Sequence, residues 1–346
     1  MTRLRFAAAL ALTLGLLSTA PANAWTRGQV DVLAVLPAAS GSVEGITVGP
    51  DGNVYAPTFG FNTTGALGGS AKMFVISPSG SIVRTVTIAQ SSPHVLGLAF
   101  NPVTNILWVL DFGAGKVLAV DPTTGGSSVL AGPIANSGLN ALTFDKKGDA
   151  YISDSFNGTI WKVDKHGGSA SVWSTDPLLG PGSGLTPPFG ANGVAFSNDG
   201  SRLYVANTAF HQIIQIPVNP NGSAGKPSIF ITGINAPDGV AVDAKGNLWV
   251  CANQEDEIVV LNPAGKVIAK LGDFRGIDQN GIAQGLLFPA SLAFSKDGTT
   301  LYVSNLTLFL PFAGAQPAVD SAWTLQVQGY TVSSLSATIP PIPGGP

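Results

Sequence analysis

Four residues with oxygen-bearing side chains, Glu44, Asn140, Asn192 and Asp238, each stand immediately before a short apolar stretch of one kind. These stretches are Gly45-Ile46-Thr47-Val48, Ala141-Leu142-Thr143-Phe144, Gly193-Val194-Ala195-Phe196 and Gly239-Val240-Ala241-Val242. Two further copies follow Leu96 and Ala290. Brought together, two carboxylates and two amide carbonyls make a hard, all-oxygen set that suits Ca²⁺, or another hard divalent ion, over Zn²⁺ and softer metals. Polar side chains at such positions can equally be solvated channel lining, and residue type alone leaves both readings open. His94 lies two residues before Leu96; an imidazole suits proton transfer near neutral pH, and a surface-loop histidine is the alternative. His166 and His211 adjoin turns or outer strands and read as solvated. Cys251, after Trp249-Val250, reads as a buried, inert thiol.

The elements that must position these residues are repetitive. Each copy pairs the apolar stretch with a turn and an aromatic-Val stretch such as Leu107-Trp108-Val109, Leu203-Tyr204-Val205 or Leu248-Trp249-Val250. A third stretch follows, such as Glu257-Ile258-Val259-Val260-Leu261, then a turn and a fourth, such as Lys266-Val267-Ile268-Ala269. Six copies recur at spacings of 44 to 52 residues. Four short antiparallel strands at that period predict a propeller blade, and six predict an all-β, six-bladed β-propeller over residues 25–346 as a single domain. Gln29-Val30-Asp31-Val32-Leu33 is expected to close the ring on the last blade, with Trp323-Thr324-Leu325-Gln326-Val327 as another of that blade's strands. In such a ring the six residues before the starting strands face one axis. Asp111, Asp154, Asn207, Asn253 and Asn305 recur after the second strand and read as turn-fixing hydrogen-bond acceptors. The four longest irregular stretches, Phe59-Ser70, Asp176-Ala191, Asp273-Pro289 and Leu306-Ser321, all emerge on the face where the inner strands start. They are rich in Phe and Leu, which predicts either an uncharged or hydrophobic substrate or loops that pack on one another.

Glu44-Gly45, Asn140-Ala141, Asn192-Gly193-Val194-Ala195-Phe196-Ser197-Asn198-Asp199-Gly200 and Pro237-Asp238-Gly239-Val240-Ala241-Val242-Asp243 resemble the gluconolactonase/senescence-marker-protein family of six-bladed propellers. More distantly the chain is similar to the diisopropylfluorophosphatases and paraoxonases. The resemblance implies that Glu44, Asn140, Asn192 and Asp238 hold a catalytic divalent ion, usually Ca²⁺. It further implies metal-dependent hydrolysis of a lactone or related ester, with Asp238 as both ligand and base. Because a metal-bound carboxylate is a weak base, His94, which resembles the paraoxonase histidine near the metal, is a second candidate. A non-catalytic ligand- or protein-binding propeller is the alternative, with a propeller lyase or strictosidine-synthase-like enzyme behind it.

The remaining signals bound the setting. Arg3 and Arg5, an apolar run from Phe6 to Leu17, and Ala22-Asn23-Ala24 predict a signal peptide over 1–24 and export to the periplasm or medium. The run is shorter than a membrane span, so no membrane association is expected after cleavage. A formal charge of -3 with no later basic run argues against nucleic acid. The single Cys excludes an internal disulfide and a thiolate-rich metal site. The 43 Gly and 25 Pro, about a fifth of the chain, fit frequent turns and disfavour long helices. The expected partner is a small-molecule lactone or ester, and the expected state a monomer.

Overall fold

The computed structural model describes residues 27–182, 188–317 and 321–340. The proposed signal segment 1–24 lies outside them. Six four-stranded antiparallel sheets form the six blades of a β-propeller. From the axis outward, blade one is Thr47–Val48, Val54–Pro57, Lys72–Ile76 and Ile82–Thr87, and blade two is Val95–Phe100, Leu107–Asp111, Lys116–Val120 and Ser127–Ala131. Blade three is Leu139–Phe144, Ala150–Asp154, Thr159–Val163 and Ser171–Thr175, and blade four is Ala191–Phe196, Arg202–Asn207, Gln212–Pro217 and Ser228–Thr232. Blade five is Pro237–Val242, Leu248–Ala252, Glu257–Leu261 and Val267–Leu271. Blade six takes Pro289–Phe294, Thr300–Asn305 and Gly329–Ser336 from the end of the chain and its outermost strand, Val30–Pro37, from the start. Each inner strand touches the next, and that of blade six touches that of blade one.

A four-stranded sheet has two apolar faces, and radial stacking covers both. Accordingly, among the described residues six of the seven buried clusters each lie between two neighbouring blades. The repeated aromatic of the second strand has a defined place there. Tyr55, Trp108, Tyr151 and Trp249 meet Phe100, Phe144, Phe196 and Phe294, the last inner-strand residue of the following blade, edge to face at 4.9 to 5.5 Å. Such pairs contribute about 0.5–1.5 kcal/mol beyond area burial, so the repeat motif encodes blade-to-blade stitching. Cys251 is fully buried in the second strand of blade five, and burial pushes its thiol well up, as an inert side chain requires.

One strand was misplaced in the sequence reading. Residues 321–324 form a single helical turn, Ser321–Thr324, and the third strand of blade six is Gly329–Ser336. The alternation Trp323-Thr324-Leu325-Gln326-Val327 mimics a strand, but Trp323 and Leu325 are exposed, and Trp323 packs on Phe274. Tyr330, Val332 and Leu335 enter the clusters beside blade six in their stead.

Candidate functional site

The six residues before the repeated stretches sit where the sequence pattern puts them, around the axis at one end of the ring. In blades two to six they occupy the second position of the inner strand. The register of that strand against its neighbour shifts between Val95 and Leu98, Leu139 and Leu142, Ala191 and Val194, Pro237 and Val240, and Pro289 and Ser291. Each of these five ring residues therefore lies in a bulge, a device that re-aims a side chain out of the ladder. In blades one, two, four and five the glycine that follows allows the close approach of adjacent inner strands: a Cβ on Gly193 would stand 2.2 Å from the Asp238 carbonyl oxygen, and one on Gly45 2.2 Å from that of Leu96.

Glu44, Asn140, Asn192 and Asp238 are all buried and line one cavity with Phe59, Leu96, Phe112, Phe189, Thr208, Asn253, Phe288 and three leucines of the blade-six loop. The cavity offers about 40 Å³, room for about three waters. Three of the four ring side chains, Asn140, Asn192 and Asp238, are held from the residue that follows the second strand of their own blade, whereas Glu44 is reached only at its backbone. Asn140 Nδ2 donates to Ser155 Oγ (3.1 Å), which donates to the Ala191 carbonyl (2.7 Å). Asn192 Nδ2 donates to Thr208 Oγ1 (3.0 Å), which donates to the Pro237 carbonyl (2.8 Å). Asn253 Nδ2 donates to Asp238 Oδ2 (2.9 Å) and is steadied in turn by Gln254 Nε2 on its Oδ1 (2.6 Å). Ser304 Oγ donates to the Glu44 carbonyl. Two of the blades are thus locked to the start of the next by the same hydroxyl that orients a ring amide.

What remains after these bonds points to a cation. Asn140 Oδ1 and Asp238 Oδ1 are buried with no hydrogen-bond partner, and orphaned buried acceptors are costly. Burial, then the neighbouring Asp238 charge, holds the Glu44 carboxyl well above the usual range. Burial likewise pushes Asp238 up, opposed by the Asn253 and Asn192 amides. Two carboxylates that resist ionising side by side, with the Asn140 amide oxygen and one Asp238 oxygen left with nothing to accept from, fit a hard divalent ion. Among the described residues no group of three or more His, Cys, Asp or Glu can hold a metal; half of this donor set is amide oxygen.

His94 stands at the mouth and not on the cavity wall. Its Nδ1 lies 2.7 Å from the Phe59 carbonyl, which can only accept, so Nδ1 carries the proton and Nε2 the lone pair. The ring stacks on Phe61 (4.7 Å) and meets Phe59 edge-on (5.6 Å). His166 is exposed, as expected. His211 is not simply solvated: its Nδ1 accepts from the Ala236 amide (2.9 Å), supporting a left-handed residue two positions before Asp238.

Of the five residues read as turn acceptors, Asp111, Asp154, Asn207 and Asn305 are so used, Asp154 accepting from the Gly138, Phe156 and Asn157 amides and from Trp161 Nε1. Asn253 is not one of them. Strand pairing sets Ala252 opposite Pro237, as Asp111 stands opposite Val95; Asn253 is one position further on, level with Ser155 and Thr208. Counting from the aromatic of the second strand, and not from the polar residue itself, exposes the offset. Loop leucines and phenylalanines pack on one another, as the second of the two readings expected: Phe59, Phe61, Leu306, Leu308 and Leu310 join Leu96, Phe288 and Ala290 in one buried cluster, and most of that cluster also walls the cavity.

Fold and site together define a six-bladed propeller whose axial pocket sets four oxygen-bearing side chains in an apolar wall, and residues 186–272 match the family described as SMP-30/Gluconolactonase/LRE-like region, which bears out the resemblance drawn from the motifs. Over 251 residues, 66% of this chain and 65% of the relative, it is 27% identical to the gluconolactonase of Zymomonas mobilis subsp. mobilis. Over 142 residues, 38% of this chain and 41% of the relative, it is 28% identical to lactonase drp35 of Staphylococcus haemolyticus. The matched stretches span less than two thirds of either relative's length. In three dimensions the chain matches regucalcin of Agrobacterium tumefaciens, described as a calcium-binding protein, with a TM-score of 0.60 at 19% identity, over 92% of this chain and 97% of that one. It matches streptogramin B lyase with a TM-score of 0.57 at 15% identity, over 91% and 100%. At these identities the two structures speak to the fold alone.

Proposed function

We propose that the protein is an exported, Ca²⁺-dependent hydrolase that opens an uncharged lactone or related ester. The observation that carries this reading is the meeting of Glu44, Asn140, Asn192 and Asp238 in one small buried cavity, with Asn140 Oδ1 and Asp238 Oδ1 left without partners. The lactonase relatives support the reaction class. Glu44 and Asp238 would hold the ion through carboxylates and Asn140 and Asn192 through amide oxygens. Bound there, a divalent ion supplies Lewis-acid polarisation of the ester carbonyl and offsets its developing negative charge.

The chain's own groups do the rest. Asn253 engages Asp238 Oδ2, so Oδ1 is the oxygen left to take the proton of an attacking water or to attack directly. His94 offers the second site for a proton at Nε2, from the mouth and not the floor. The apolar wall keeps bulk water out, which strengthens every charge interaction inside, and it favours an apolar substrate over a hydroxyl-rich sugar-acid lactone. Export rests on residues 1–24, and a monomer suits a ring that uses both of its ends in blade six. N-terminal sequencing of the secreted product should begin at Trp25.

The test is calorimetric Ca²⁺ binding alongside hydrolysis of a lactone panel with and without EDTA. The wild type should bind one ion and lose activity reversibly to EDTA, while Asp238→Asn and Asn192→Ala lose both; unchanged metal content and hydrolysis in these variants would sink the reading. The tight cavity, about 40 Å³, favours a binding-only propeller as the second reading, and Ca²⁺ binding with no hydrolysis across the panel selects it.

A further inference from the structure

The cavity floor has room for an ion and about two waters, so the reacting carboxyl group of a substrate fits there only if the remainder lies further out, against the rim. The rim is a row of rings. Phe61 packs on Phe59 (5.2 Å), Phe59 on Phe112 (5.7 Å), Phe112 on Phe156 (5.3 Å) and Phe156 on Phe189 (6.2 Å, nearly parallel). Phe59, Phe112 and Phe189 wall the cavity, and Phe156 joins the last two from outside it.

Phe156 is 44% exposed, yet it is held in place. Its amide donates to Asp154 Oδ1 (3.1 Å), a fully buried carboxylate that also accepts from Gly138 N (2.9 Å) and Trp161 Nε1 (3.0 Å). The ring lies flat over Gly138, where a Cβ would stand 2.9 Å from it. A large apolar ring fixed at the mouth, continuous with the cavity wall and open to solvent on its outer side, is a surface for the part of a ligand that the floor cannot hold.

We propose that Phe156 is a specificity-determining residue that carries an aliphatic tail of the substrate across the rim between Phe112 and Phe189, making tailed lactones or esters the preferred class. This rests on the hydrolase reading. The experiment compares δ-valerolactone, which has no tail, with δ-decalactone, which has one, using the wild type, Phe156→Ala and Phe156→Leu with Ca²⁺ present. In Phe156→Ala, kcat/KM for the tailed lactone should fall about tenfold, mainly through KM, while that for the tail-less one changes less than about twofold, and Leu should restore part of the loss. Equal changes on both substrates, or none on the tailed one, overturn the proposal.

Decanoate binding by calorimetry separates the two readings. If the wild type hydrolyses no lactone but binds decanoate about tenfold more tightly than Phe156→Ala, the hydrolase reading falls and the rim stands. If decanoate binds neither protein, or both equally, the rim assignment falls whatever the activity.

Discussion

At the scale of single residues the site is built in two rings, an inner one that meets the ligand and an outer one that orients it. Ser155, Thr208 and Asn253 decide which atom of Asn140, Asn192 and Asp238 is left free. Thr208→Val keeps shape and removes both hydrogen bonds of the hydroxyl, leaving the buried Asn192 amide and Pro237 carbonyl without it, so Ca²⁺ affinity should fall by about 10–100-fold and stability by about 1–3 kcal/mol, and Thr208→Ser should restore most of both; titration and scanning calorimetry read them. The paired carboxylates set a pH dependence. Glu44 and Asp238 have raised values in the folded protein, so their contribution to metal-free stability is complete below the ordinary carboxylate range and is lost as pH rises through the raised values. In EDTA the melting temperature should therefore be lower at pH 8 than at pH 5.5. Ca²⁺ should stabilise more at pH 8, and Glu44→Gln should flatten the metal-free slope. The four inner residues were legible because each precedes a repeated stretch. The outer ring was not, because blade five carries Ala252 where the second strands of blades two, three, four and six end in Asp or Asn, which makes Asn253 look like their equivalent.

At the scale of the element, the device that matters is the bulged start of the inner strand with its following glycine. Gly193→Ala would drive a Cβ into the Asp238 carbonyl, moving two ring residues of adjacent blades at once. A loss of at least about 2 kcal/mol in urea unfolding is expected, with Ca²⁺ affinity falling in parallel; Gly233→Ala, whose Cβ would meet nothing within 4 Å, should leave Ca²⁺ affinity alone and cost only the strain of its positive φ. The strands themselves were legible from their alternation and turn residues, and the aromatic at the second position was visible as a motif before its edge-to-face partner was known. The segment 323–327 shows the limit: its alternation is as regular as that of a strand, but only pairing against Thr300–Asn305 selects Gly329–Ser336.

At the scale of the molecule, the ring is fastened by its ends. Val30–Pro37 pairs along Gly329–Ser336, and just ahead of it Arg27 forms a 2.6 Å ion pair with Glu257, a buried carboxylate of blade five that also holds Lys270 at 2.6 Å. Arg27 is partly exposed, so Arg27→Ala should cost only about 1 kcal/mol, a fall of roughly 2–4 °C by scanning calorimetry. Removal of the segment through Pro37 strips blade six of a strand and bares an edge, and such a chain should be recovered aggregated.

The order of synthesis gives that closure a further meaning. The outermost strand of blade six is made before blades one to five and its partner after them, so the ring stays open until all five of those blades have been synthesised. Long-range pairing of this kind is slow relative to local hairpins. The axial pocket draws on blades one and five across the seam that closes last, so a cation able to join Glu44 to Asp238 would favour the closed ring over the open one, and refolding yield should rise with Ca²⁺ in the buffer.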